Sequence, residues 1–76
     1  MSDIQQVTMR DIEDDPAIDS KEITIEIQAT GFLKKRKIIR LVGSVKSETE
    51  KEKAMRIAVH FAGDNYDVAN HLIVKT

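Results

Sequence analysis

Two spacings of hydrophobic residues divide the chain into helices and strands. Apolar residues recur at intervals of three and four, as in amphipathic helices, within residues 4–13 and 48–62. They alternate with polar residues, as in half-buried strands, over residues 21–29, 37–45 and 68–74. This order predicts an α+β fold, helix-strand-strand-helix-strand, with a small three-stranded mixed sheet. We expect the first two strands to be antiparallel and the last two parallel, joined by a right-handed crossover, with both helices on one face of the sheet.

Short-range signals mark where the helices begin and end. Asp3 is suited to cap the first helix, and Pro16 ends it because the residue before a proline disfavours helical geometry. Ser47 and Glu50 have the spacing of a capping box, in which each side chain satisfies a backbone N–H that the helix leaves unpaired. Gly63 follows the second helix as a C-terminal cap, since glycine adopts positive φ without steric cost.

Two further residues are assigned structural roles because of the face on which they lie. Gly43 lies on the core side of the second strand, where a glycine indicates that another element packs close to the backbone. The second helix is the expected neighbour, because Ala54 and Ala58 on its buried side permit a close approach. Asn70 lies on the core side of the third strand, where its amide needs hydrogen-bond partners. We expect it to clamp the loop after Gly63.

Length and composition limit the class of protein. The chain of 76 residues forms one domain, residues 1–76, of which residues 1–3 are expected to be loose. It has no cysteine, which excludes disulfides and thiolate metal sites. Its apolar runs fall far below the roughly 18 residues that span a bilayer, and its first residues lack the pattern of a signal peptide. We therefore expect a cytoplasmic protein or a fragment of a larger one.

Charge is distributed unevenly, although the net charge is only −1. Residues 1–33 carry two basic and eight acidic side chains, whereas residues 34–46 carry six basic side chains and no acidic one. A concentrated positive stretch on an otherwise acidic chain favours one local contact with an anionic partner. It includes most of the basic segment, which consists of Phe32, Leu33, Lys34, Lys35, Arg36 and Lys37. This segment is a candidate lipid-binding tip, because its apolar side chains can enter a membrane interface while its cations meet lipid phosphates.

Two other interpretations stay open. In the first, the basic segment is a solvated hairpin whose charges protect an edge strand, while Phe32 and Leu33 fold back on the core. In the second, the outer sheet face binds a protein partner or a second copy of the chain. Ile38, Arg40 and Val42 leave that face partly apolar when both helices pack on the other side.

The ordered motifs of the chain resemble the BON domain family, over almost its whole length. The most specific residues are Leu41, Gly43 and Val45 before the capped helix, and Val68, Asn70, Leu72 and Val74 in the last strand. The resemblance implies a bacterial α/β module without catalytic residues that associates with phospholipid membranes, found in osmotic-shock, channel, secretin and haemolysin-like proteins. The chain departs from the family in the longer, charged connection between its first strands and in one additional residue between Gly63 and Val68.

No pattern of residues predicts catalysis. The chain has no Ser-His-Asp order and no phosphate-binding loop, so we expect a non-enzyme without cofactor or small-molecule substrate. His60 and His71 are expected to face solvent, and the carboxylates of residues 11–15 lack the spacing of a calcium loop. Nucleic acid is disfavoured as a partner, because there is no GxxG clamp and no aromatic stacking platform. The predicted function is therefore weak, peripheral binding to an anionic phospholipid surface, with a protein partner or self-association as the alternative.

Overall fold

The computed structural model describes residues 3–30 and 36–75, in which two helices and three strands follow one another in the predicted order. The elements are helix α1 (Ile4–Asp14), strand β1 (Ile23–Thr30), strand β2 (Arg36–Val45), helix α2 (Glu48–Ala62) and strand β3 (Tyr66–Val74). The α+β class is confirmed, and each described boundary lies within about two residues of the one that hydrophobic spacing predicts.

Strand β2 is the central strand of a mixed sheet with the order β1-β2-β3. It pairs with β1 in antiparallel orientation, so that Ile25 lies opposite Leu41. It pairs with β3 in parallel orientation, so that Leu41 lies opposite Asn70. The predicted hairpin and the predicted parallel pair are both confirmed.

Both helices cover the same face of this sheet. Ile12 of α1 and Ala54 and Ala58 of α2 have no exposed surface. They belong to one cluster of buried residues, which contains Ile12, Ile18, Ile23, Ile25, Ile39, Leu41, Val45, Ala54, Ala58, Ala62 and Leu72. Burial of each large aliphatic side chain contributes about 1.5 to 3 kcal/mol. The core therefore lies between the helices and one face of the sheet, and no described helix covers the other face.

The ends of the helices agree with the short-range signals. The Asp3 carboxylate accepts a hydrogen bond from the Gln5 N–H at 3.1 Å, and the Ser47 hydroxyl accepts one from the Glu50 N–H at 3.2 Å. Gly63 ends α2 as predicted, with φ +54° and ψ −136°, a positive-φ conformation outside the left-handed helical region. All three predicted caps are confirmed.

The neighbour predicted for Gly43 is wrong. Gly43 has φ +127°, a conformation that residues with a side chain rarely adopt. A Cβ atom at this position would overlap the carbonyl oxygen of Glu22 and lie 2.9 Å from its carbonyl carbon and 3.2 Å from Ile23 Cα. The backbone that enters β1, and not helix α2, therefore occupies the space that the missing side chain leaves.

Candidate binding surfaces

The sheet face opposite the helices is the first candidate surface. Strand alternation places on it Thr24, Glu26, Gln28, Ile38, Arg40, Val42, Ser44, Asp67, Ala69, His71 and Ile73. We call these residues the open face. Ile73 is 66% exposed and lies diagonally from half-buried Val42, so these two residues form a short apolar strip across β2 and β3, whereas half-buried Ile38 lies apart from it, opposite Asp67. Exposed apolar strips rimmed by polar residues are typical of surfaces that contact a partner.

Arg40 is the charged residue at the middle of the open face. Its Nη1 atom lies 3.2 Å from the Gln28 side-chain oxygen and 3.9 Å from a Glu26 carboxylate oxygen, both on β1. Exposed ion pairs of this kind contribute about 0 to 1 kcal/mol. Arg40 can therefore exchange these contacts for a carboxylate of a partner with little loss of stability.

A cleft of about 240 Å³ lies where β1, β2 and β3 meet at one end of the sheet. Its lining consists of Asp19, Glu22, Ser44, Val45, Lys46 and Lys75. Lys46 Nζ lies 3.1 Å from Asp19 Oδ2, and Lys75 Nζ lies 3.4 Å from Glu22 Oε1. Each charged group in the lining thus has a partner of opposite charge, so a ligand would have to displace existing ion pairs. The sequence does not predict this cluster, because its residues come together only through the pairing of β2 with β1 and with β3.

The two carboxylates of the cleft predict how stability depends on pH. The Lys21 N–H, and then Lys46, lower the pKa of Asp19 below its ordinary value of 3.8. The Ser44 hydroxyl, and then Lys75, lower the pKa of Glu22 below its ordinary value of 4.5. Since each pKa is lower in the folded than in the unfolded chain, the stabilisation is complete above the unfolded value and is lost as the pH falls through the folded value.

We therefore expect the free energy of unfolding to fall as the pH is lowered from about 5 to about 3. Replacing Glu22 with glutamine removes one of the two groups and flattens this dependence. Urea unfolding at a series of pH values measures both slopes, with Glu13→Gln as the control, because Glu13 is exposed on α1. Equal slopes for wild type and Glu22→Gln would contradict the expectation.

Glu50 joins two distant parts of the chain. Its side chain is buried, with 7% of the residue exposed. One carboxylate oxygen accepts the Asp19 N–H at 2.7 Å, and the other accepts the Lys46 N–H at 3.1 Å and the Ser47 hydroxyl at 3.3 Å. This differs from the predicted capping box, in which Glu50 satisfies a backbone N–H that the helix leaves unpaired. The carboxylate is engaged by three donors and has a structural role.

Asn70 has different partners from those predicted. Its Nδ2 atom donates to the Lys51 carbonyl of α2 at 3.4 Å, and its Oδ1 atom accepts the Leu72 N–H at 3.1 Å. Asn70 therefore links β3 to the first turns of α2. The predicted clamp on the loop after Gly63 is wrong.

Most of the basic segment lies outside the described residues. This applies to Phe32, Leu33, Lys34 and Lys35, whereas Arg36 contributes its backbone to the start of β2. The pairing of β1 with β2 extends to Thr30 opposite Arg36, and Lys37 is exposed. The proposed lipid-binding role of these residues stays a prediction.

The two histidines are exposed, as predicted. His60 makes an edge-to-face contact with Phe61, with ring centroids 5.2 Å apart. Within residues 3–30 and 36–75, no three histidine or carboxylate side chains form a group that suits a metal ion. In the same ranges, no helix has both the length and the apolar character needed to cross a bilayer.

Three surfaces are therefore candidates for binding: the open face, the cleft of paired charges, and the end of the β1–β2 ladder at the Thr30–Arg36 pair, which the basic segment adjoins in the sequence. The first two are described in full, and the third through its flanking strands. No protein-family model, no curated protein and no solved structure matches the chain.

Proposed function

We propose that the chain is a non-catalytic, BON-like module that binds anionic phospholipid surfaces through the basic segment. One observation carries the proposal: the β1–β2 ladder ends in the Thr30–Arg36 pair, and four consecutive cations follow Leu33 at this end of the ladder. Connections between paired strands generally lie at the protein surface, where cations can meet a planar array of phosphates. The order of the elements is the order that the BON resemblance implies, which supports the same assignment.

The expected free energies of binding indicate that the chain binds the membrane weakly. Each cation near an anionic surface contributes about 1 kcal/mol, so the four contribute about 4 kcal/mol. Partial insertion of Phe32 and Leu33 adds about 1 to 3 kcal/mol. The total corresponds to a Kd of roughly 10 to 200 micromolar. Stable attachment to a membrane would then need several copies on one surface.

Replacing Lys34 and Lys35 with glutamine tests the proposal. Loss of two cations is expected to weaken binding to phosphatidylglycerol vesicles by about 30-fold, as measured by co-sedimentation at low salt. Binding of the wild type should also weaken between about 0.05 M and about 0.5 M salt, because screening shortens the range of the attraction.

The matched control is Lys51→Gln with Lys53→Gln, which removes the same charge from α2. This variant should bind almost as well as the wild type. If the two double variants lose affinity equally, net charge and not the basic segment determines binding. Unchanged binding by the Lys34 and Lys35 variant would overturn the proposal.

The second candidate function is binding of a protein partner through the open face, and the exposed side chain of Ile73 diagonally across from half-buried Val42 favours it. Backbone amide shifts on addition of phosphatidylglycerol micelles discriminate between the two functions. Shifts confined to residues 31–37 support lipid binding by the basic segment. Shifts that centre on Ile38, Arg40 and Val42, or none at all, oppose it.

A further inference from the structure

Strand β3 is at the edge of the sheet that the described residues form, and its backbone groups point alternately toward β2 and away from it. The Lys75 N–H donates to the Val45 carbonyl of β2 at 2.8 Å. In a parallel ladder, both backbone groups of one residue point to the same side, and those of the next residue point to the other. The odd-numbered residues of β3 therefore face β2, and the even-numbered residues from Tyr66 to Val74 direct their backbone groups to the free edge.

The two edges of the sheet are protected to different extents. On the β1 edge, the Gln5 side chain donates to the Ile25 carbonyl, and the Ile23 N–H donates to Ser20 at 3.1 Å. On the β3 edge, Asn70 Oδ1 accepts the Leu72 N–H. That oxygen belongs to the strand itself, and it lies where the carbonyl of an additional strand would bind. Unpaired edges are ready templates for pairing with another chain.

We propose that β3 pairs in antiparallel orientation with β3 of a second copy, about a two-fold axis at His71. This inference concerns the strand edge and does not rest on lipid binding. Residues opposite each other on the open face are then Asp67 with Lys75 of the second copy, Ala69 with Ile73 of the second copy, and the two His71 side chains. The backbone pairs are Val68 with Val74 and Asn70 with Leu72 of the second copy.

The charges of Asp67 and Lys75 favour this register over the two neighbouring ones. Only the even-numbered residues direct their backbone groups to the free edge, so an even-numbered residue must lie opposite an even-numbered residue of the second copy. The two-fold axis must therefore pass through a residue and not between two residues. With the axis at Asn70, Asp67 would face Ile73, and with the axis at Leu72, Lys75 would face Ala69. Only the axis at His71 places opposite charges together, once in each half of the pair. Cross-strand pairs of opposite charge stabilise a sheet, and like charges destabilise it.

The hydrogen bond between the Asn70 side chain and the Leu72 N–H opposes the association. To pair with the second copy, the Leu72 N–H must release Asn70 Oδ1, now at 3.1 Å, and take the Asn70 carbonyl of the second copy. Lys75 must likewise share its charge with Glu22, which is 3.4 Å away in an exposed pair, and Asp67 must adjust an interaction that it already makes within the chain. Pairing of one strand buries less surface than the roughly 800 Å² per partner of a standard interface. The dimer is therefore expected to be weak and to depend on concentration.

A single cysteine tests the two-fold axis, because the chain contains none. In the proposed dimer, the two Cα atoms at position 71 form a non-hydrogen-bonded pair about 4.5 Å apart, within the range of about 4.4 to 6.8 Å that a disulfide spans. His71→Cys should form a disulfide-linked dimer at least about tenfold faster than His60→Cys, since pairing concentrates the thiols. His60 is the matched control, because it is also an exposed histidine but lies on α2. Equal rates would overturn the proposal.

Charge reversal tests the register independently. Asp67→Lys places like charges opposite each other in both halves, and should raise the dimer Kd at least about tenfold in sedimentation up to about 1 mM protein. Adding Lys75→Asp restores opposite charges and should restore the dimer. Glu52→Lys makes the same charge change on the exposed side of α2 and should have no effect. A wild type that stays monomeric, or a double variant that does not recover, would refute the register.

Discussion

Replacing Gly43 with alanine is expected to lower the free energy of unfolding by at least about 3 kcal/mol. A residue with a side chain at φ +127° is strained by about 1 to 3 kcal/mol. The new Cβ atom would also overlap the Glu22 carbonyl oxygen, which is backbone and cannot rotate away. A chain of 76 residues has a total stability of about 4 to 11 kcal/mol, so the variant loses a large part of it. Urea unfolding followed by circular dichroism measures the loss.

Gly63→Ala is the matched control, because it is the same substitution at the other described glycine. Gly63 also has a positive φ, of +54°, but no atom lies within 4 Å of the added methyl group. Its ψ of −136° lies outside the left-handed helical region, so Gly63→Ala should cost about 1 to 3 kcal/mol through backbone strain, without the overlap that adds to the cost at position 43. Comparable losses in the two variants would show that backbone conformation alone, and not contact with Glu22, determines the requirement for glycine at position 43.

Replacing Glu50 with alanine is expected to cost about 2 to 4 kcal/mol. The change leaves the Asp19 and Lys46 N–H groups without their acceptor, and each unsatisfied buried donor costs about 1 to 3 kcal/mol. Glu50→Gln should cost less, since its remaining side-chain oxygen can still accept one of the two. Urea unfolding under identical conditions measures the free energy of unfolding of the wild type, Glu50→Ala and Glu50→Gln.

Glu48→Ala is the control for helix electrostatics. Glu48 lies in the same first turn of α2 but is exposed, so its removal should cost about 0.3 to 1 kcal/mol through the helix dipole. If Glu48→Ala and Glu50→Ala are equally destabilised, the hydrogen bonds to Asp19 and Lys46 contribute little and the dipole accounts for the effect.

Apart from the order and direction of the strands, the features that the sequence predicts correctly are those that depend on neighbouring residues. Alternation of Ile23, Ile25 and Ile27 and the helical spacing of Ala54 and Ala58 report which side of each element is buried, whatever the fold around it. The caps at Ser47 and Gly63 involve atoms within four residues. Burial patterns and helix caps of this kind can be predicted from the sequence alone.

The features that it misses depend on contacts between distant segments. A glycine at position 43 indicates a close neighbour, but only the register with β1 identifies that neighbour as Glu22. The S-x-x-E motif locates Glu50 at the start of α2, yet its partner Asp19 lies 31 residues earlier. The amide of Asn70 had to have partners, but spacing alone could not distinguish Lys51 from the loop after Gly63.

The hydrogen bonds of Glu50 also bear on how the domain can move. One carboxylate joins the connection before β1 to the turn before α2, and α1 and α2 both contribute to the same core. Loosening of the start of α2 would leave the Asp19 and Lys46 N–H groups without their acceptor, so the helix is expected to loosen together with the connection and the turn. Residues 3–30 and 36–75 should consequently melt as one cooperative unit, so that a partner meets a rigid scaffold instead of a hinge.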